Sequence, residues 1–113
     1  QGRDYVGALE RLARANRGQS LEPELLTLAA RLAKEAAQYK MANADKSALW
    51  LPDANGEMVH VQSLVYDDAP WLSSTLSDVQ FLHKDIDNEV AEALGLRSVR
   101  KLLISGELHM RDL

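Results

Sequence analysis

The chain has no cysteine, which excludes a disulfide framework, a thiolate metal site and a cysteine nucleophile, and suits a reducing compartment. Its six glycines are single and dispersed, so neither a Walker-type loop nor a dinucleotide fingerprint is present and tight nucleotide binding is not expected. Apolar runs are short, as at Leu25-Leu26 and Leu102-Leu103-Ile104, far below the roughly 20 residues that span a bilayer. No membrane segment is expected, and no signal peptide is visible. An excess of basic charge is also missing. The net charge of −4 argues against a general nucleic-acid binder, because affinity for a phosphate backbone comes mainly from clustered Lys and Arg. Aromatic residues are few, with two Trp, three Tyr and one Phe, so a core of Leu, Ile, Val and Ala is expected to draw on the indoles for volume.

What is present is the composition of an ordinary globular domain, with 46% hydrophobic and 27% charged residues in 113. That length fits one domain, able to bury roughly two thirds of the surface of its unfolded chain. Arg3, Arg11, Arg14 and Arg17 make the first segment basic, whereas Glu57, Asp67, Asp68 and Asp78 make the middle acidic. Solvated faces explain this asymmetry, and docking onto a partner or a neighbouring domain would use it. Helical patterns begin within four residues of Gln1 and run close to Arg111-Asp112-Leu113. Residues 1–113 therefore read as a single domain or sub-domain cut from a larger protein, with a helical pair over 1–40 and an α+β part over 48–113.

Asp4 is the expected N-cap of a first helix reaching about Asn16, with Val6, Leu9, Leu12 and Ala13 on one face and Gly18 as its stop. Ser20 is the expected cap of a second helix whose first turn accommodates Pro23. Leu25, Leu28, Ala29, Leu32, Ala36 and Tyr39 recur there at helical spacing, and the two helices should form an antiparallel hairpin. Ala48 to Leu51, the turn formers Pro52-Asp53-Ala54-Asn55-Gly56 and the alternating Glu57-Met58-Val59-His60-Val61 read as a β-hairpin, with Gly56 at positive φ. Residues 63–66 read as a helical turn or an irregular step, and Val79-Gln80-Phe81-Leu82-His83 as a third strand. Asp85 or Asp87 should cap a helix through Leu94, its buried side being Ile86, Val90, Ala91 and Leu94. Gly95 is its C′ residue, with Leu96 as the accompanying hydrophobic contact. Ser98 should cap a last helix to about Ile104, stopped near Gly106. The expected class is α+β: an N-terminal helical hairpin, a small antiparallel sheet and two short C-terminal helices.

No residue constellation supplies catalysis. Asp67 and Asp68 have the oxygen chemistry of a hard-cation site, but adjacent acids point apart and no third ligand stands at a motif-like spacing, so they are expected to be structural caps or solvated turn residues. The string Asp53-Ala54-Asn55-Gly56-Glu57 shares residue types with a calcium loop without its offsets, and a turn explains each of them. His60, His83 and His109 are too far apart for ligand spacing. None of Ser63, Ser73, Ser74, Ser77, Ser98 and Ser105 lies in a nucleophile elbow. Trp50 stays open between core and surface. Pro70 fixes its own φ and pushes Ala69 toward an extended conformation, so the corner Asp67-Asp68-Ala69-Pro70-Trp71 is expected to aim Trp71 into the core. On that expectation Trp71→Ala costs about 3–5 kcal/mol. No catalytic, cofactor or metal residue is assigned; Asp67, Asp68, Pro70, Trp71, Gly56 and Gly95 are structural.

Four pieces in one order carry a family likeness: Leu49-Trp50-Leu51-Pro52-Asp53-Ala54-Asn55-Gly56, Leu64-Val65-Tyr66-Asp67-Asp68-Ala69-Pro70-Trp71-Leu72, Phe81-Leu82-His83, and Leu94-Gly95-Leu96-Arg97-Ser98-Val99-Arg100-Lys101-Leu102-Leu103. Over residues 48–103 the chain resembles the repeats of the sacsin-like giant co-chaperones, in the part that follows their Hsp90-like ATPase module. The resemblance implies a large cytoplasmic chaperone or scaffold for protein quality control. This piece would be a non-catalytic structural or coupling module without a cofactor, and its partners would be proteins: neighbouring domains, chaperones or clients, not nucleic acid or membrane. The family's ATP-binding acid and glycine motifs have no counterpart here, so no catalytic residue carries over. A second reading is a free-standing interaction adaptor of a ubiquitin or signalling pathway. A third is an enzyme with a carboxylate site at Asp67 and Asp68.

Overall fold

The structure, a computed structural model, describes residues 2–106, with side chains from Asp4 onward. Helix α1 (Gly2–Ala15) starts two residues before Asp4, which therefore lies in the first turn rather than at the N-cap. There its carboxylate still complements the positive end of the helix dipole. Val6, Leu9 and Ala13 are buried, as their spacing requires. Helix α2 (Pro23–Ala37) is set by Pro23 at its first position, and Glu22, held extended at φ −66° and ψ 155°, is the N-cap. Ser20 is thus not the cap: it sits too far upstream and instead forms a β-bridge with Glu57. The buried stripe of α2 is Ala29, Ala33 and Ala36, which lets α1 approach closely. Leu28 and Tyr39, expected on that face, are exposed on its flanks. Tyr5 near the start of α1 stacks on Tyr39 just beyond α2, with centroids 5.7 Å apart, so the helices run antiparallel.

After a short helix α3 (Asn43–Ser47) comes the hairpin of β1 (Trp50–Pro52) and β2 (Met58–His60), in register Trp50↔His60, Leu51↔Val59 and Pro52↔Met58. Gly56 closes its loop at φ +85°, a conformation that costs a residue bearing Cβ, and its carbonyl accepts the Leu21 N–H at 2.8 Å. Both the hairpin and its glycine follow the expectation.

A second sheet was not legible. A 3₁₀ turn (Val61–Ser63) leads into β3 (Leu64–Tyr66), which pairs in parallel with β4 (Gln80–Phe81) on one side and β5 (Arg97–Ser98) on the other. The one-turn helix α4 (Pro70–Ser73) lies between β3 and β4, and α5 (Asn88–Ala93) between β4 and β5. Leu64, Val65 and Tyr66 are all buried because β3 has a core on each side. Leu64 and Tyr66 join the large cluster with α1, α2 and the hairpin; Val65 joins a smaller one with Ala69, Val99 and Leu102. That division is the two-residue alternation of a strand.

Helix α5 starts at the N-cap Asp87, whose side chain makes no capping bond. It ends in a Schellman motif: the Gly95 N–H donates to Glu92 O and the Leu96 N–H to Ala91 O, both at 3.0 Å, with Gly95 at φ +85° and Leu96 buried. Ser98 Oγ then accepts the Lys101 N–H at 3.1 Å to start α6 (Val99–Ile104). The molecule is an α+β structure in which a helical hairpin, an antiparallel pair and short C-terminal helices stand as the sequence implies, with a parallel sheet added.

Candidate functional site

The corner between β3 and α4 is held by three bonds. Asp67 Oδ1 accepts the Ala69 N–H at 3.1 Å, closing an Asx turn, and the Asp67 carbonyl accepts Asn88 Nδ2 from α5 at 3.0 Å. Asp68 Oδ1 accepts the backbone N–H of Arg100, in the first turn of α6, at 3.0 Å. Asp67 is thus a turn residue and Asp68 a capping residue of α6, and each serves a different partner.

Trp71 is not in the core: it is 64% exposed. The reason is helical geometry. Ala69 is buried and Leu72, three residues on, packs into the same small cluster. Trp71 stands two residues from Ala69, about 200° around the helix axis, and so projects from the opposite side. Pro70 starts α4 as expected, but the helix it starts presents the indole to solvent. The Arg100 guanidinium lies 4.9 Å from the centroid of the indole, within cation–π range. Arg100 is therefore tied to the corner twice, through its amide to Asp68 and through its side chain to Trp71. Ile104, one turn further along α6, is 87% exposed and shares the face of Arg100. Trp71, Arg100 and Ile104 make an apolar and cationic surface on a supported scaffold.

The remaining chemistry-bearing residues are engaged in structure. Asp53 is buried, and its Oδ1 accepts the N–H groups of Asn55 at 2.8 Å and Glu57 at 3.1 Å, so this carboxylate makes the hairpin loop. His60 Nδ1 accepts the Gln62 N–H at 3.3 Å, and its ring meets Trp50 edge-on at 5.5 Å. Trp50 is half-buried, packed against the main core. His83 is buried and its Nδ1 accepts the Asp85 N–H at 3.1 Å. His109 lies outside the described residues. Among the described residues no three His, Asp or Glu side chains converge as metal ligands. Gly56 and Gly95 stand away from the Trp71 face, in the hairpin loop and after α5. Sequence reasoning missed the Asp68–α6 bond and the exposure of Trp71; the period of α4, read from buried Ala69 and Leu72, carries the second.

No family model and no solved structure matches the chain. A stretch of 45 residues, 40% of the chain, is 42% identical to sacsin of Homo sapiens, of which it covers 1%. The chain thus carries a short region similar to sacsin.

Proposed function

We propose that this chain is a non-catalytic coupling module of a sacsin-like chaperone or scaffold, docking a neighbouring Hsp90-like ATPase unit through the face of Trp71, Arg100 and Ile104. The supporting observation is the exposure of Trp71 on a corner stabilised by Asp67, Asp68 and Arg100. An indole that fills no core, yet is held in one place by a guanidinium and two capped turns, has the properties of an interface anchor. The similarity to sacsin supplies the setting. In such a module, nucleotide-dependent movement of the ATPase unit would be passed through Trp71 to α6 and, by the Asp68 bond, to β3.

The test is titration of the isotope-labelled chain with an Hsp90-like ATPase unit from a sacsin repeat, followed by NMR. Saturable shifts of the Trp71 indole and the α6 amides are expected, and Trp71→Ala, still folded, should weaken binding at least about tenfold, the scale of a hot-spot truncation. Shifts with ubiquitin but none with the ATPase unit would favour an adaptor. ATP turnover by this chain alone would refute the non-catalytic reading.

A further inference from the structure

Of Asn16, Asn43, Asn55 and Asn88, Asn55 alone precedes a glycine. That pairing matters chemically, because a backbone nitrogen can attack the carboxamide carbon of the asparagine before it, and a residue without Cβ hinders the approach least. Asn55 is exposed, and no described residue bonds its carboxamide. The nucleophile is held differently. The Gly56 N–H donates to the Asp53 carbonyl at 2.9 Å, and the Gly56 carbonyl accepts the Leu21 N–H at 2.8 Å. Gly56 is buried at φ +85°, with Leu26 side-chain carbons 3.6 Å from where a Cβ would stand. On either side of it, the N–H groups of Asn55 and Glu57 donate to Asp53 Oδ1 at 2.8 and 3.1 Å. The electrophile is open to solvent, whereas both peptide groups of Gly56 are clamped.

We propose that Asn55 is a site of spontaneous deamidation and that the Asp53 loop sets its rate. In this reaction the Gly56 nitrogen gives up its proton to solvent base and bonds to Asn55 Cγ, the Cγ–Nδ2 bond breaks, and ammonia leaves. Water then opens the cyclic imide at either carbonyl, giving an aspartyl or an isoaspartyl residue at position 55 with no change of oxidation state. A Gly56 N–H that donates to Asp53 keeps its proton, and its fixed peptide plane does not swing onto Cγ. The reaction therefore waits for the loop to open, a local event that costs no more than global unfolding. Either product adds a negative charge beside the Asp53 carboxylate, and the isoaspartyl form lengthens the backbone by a methylene between anchored peptide groups. The bridge from Ser20 to Glu57, which ties the segment before α2 to the hairpin, is the contact this loosens. The loop lies apart from α4 and α6, so the site stands or falls independently of the Trp71 face.

The test is incubation of the whole chain in heavy-oxygen water at mildly alkaline pH, native and in unfolding guanidinium chloride, with peptide mapping by mass spectrometry and NMR hydrogen exchange at the Gly56 amide. In the unfolded chain, conversion should be fastest at Asn55. Native conversion should be slower by at least about tenfold, the factor given by an opening free energy of about 1.4 kcal/mol. As denaturant is raised below the midpoint, conversion should rise in step with Gly56 exchange. Asp53→Ala, which removes both carboxylate bonds, should speed exchange and conversion together; should that variant not fold, the two rates of the parent still decide. Equal native and unfolded rates, or a native slowdown with a freely exchanging Gly56, would overturn the proposal. So would unfolded conversion at Asn16, Asn43 or Asn88 matching that at Asn55.

Discussion

Asp68 accepts the amide N–H of Arg100 at 3.0 Å across 32 residues of chain. With Ser98 accepting from Lys101, two of the amides left unpaired at the start of α6 are satisfied by side chains, one local and one distant. The distant bond fixes α6 to the corner that follows the central strand of the parallel sheet. It thereby sets the position of Arg100 against Trp71. Capping and presentation of the indole are one construction.

Asp68→Ala should therefore cost about 1 kcal/mol, the usual scale for a lost cap. Asp68→Asn should cost less, since an amide oxygen can still accept. Denaturant midpoints give the energies, and hydrogen exchange at Arg100 gives the location. Loss of protection at α5 but not α6 would contradict the assignment.

Trp71→Ala should leave stability within about 1 kcal/mol of the parent, because an exposed cation–π contact contributes about 0.5–1 kcal/mol. Leu64→Ala, in the fully buried central strand, should cost about 2–5 kcal/mol. In a Trp50→Phe background, acrylamide should quench Trp71 freely. A strongly destabilised and unquenched Trp71 would return the indole to the core.

What the sequence disclosed were the local devices. Gly95 with Leu96, Ser98 before Val99, and the turn formers of 52–56 each act within about six residues, and each stands where its chemistry implies. Leu64-Val65-Tyr66 gave no strand signal because both faces of β3 are buried and the polar alternation is missing. Its partners, Gln80 and Arg97, lie 16 and 32 residues away from Leu64 and Val65. The exposure of Trp71 is hidden in the sequence for a related reason. Scarcity of aromatics suggested that the core needed it, but Ala29, Ala33 and Ala36 draw the N-terminal helices together and reduce the volume to be filled.

Gly95→Ala should destabilise by about 1–2 kcal/mol, the cost of a Cβ in the left-handed region. The contact that Cβ would make with Lys46 Cδ, at 3.6 Å, is an ordinary van der Waals one, so the penalty comes from the backbone. Lys46→Ala combined with Gly95→Ala should accordingly give no relief. A double variant restored to parental stability would place the cost in the side-chain contact instead.

Tyr5 should titrate above its ordinary value of 10.0, chiefly because its hydroxyl is hydrogen-bonded to Tyr39, with repulsion from a Tyr39 phenolate as the next cause. The raised value means that the folded state holds this proton more tightly than the unfolded chain does. Its contribution is then fully present below the unfolded value and is lost as pH rises through the folded one. An alkaline decline in stability is the consequence, with no effect near neutrality. In Tyr39→Phe the hydrogen bond and the second phenolate both disappear, while the ring stack between α1 and α2 remains. Carbon NMR of ring-labelled tyrosine should show the Tyr5 midpoint fall toward its ordinary value in that variant, and the alkaline decline of the denaturant midpoint should shrink with it. An unmoved Tyr5 titration in Tyr39→Phe would remove the pairing of these two hydroxyls as the cause.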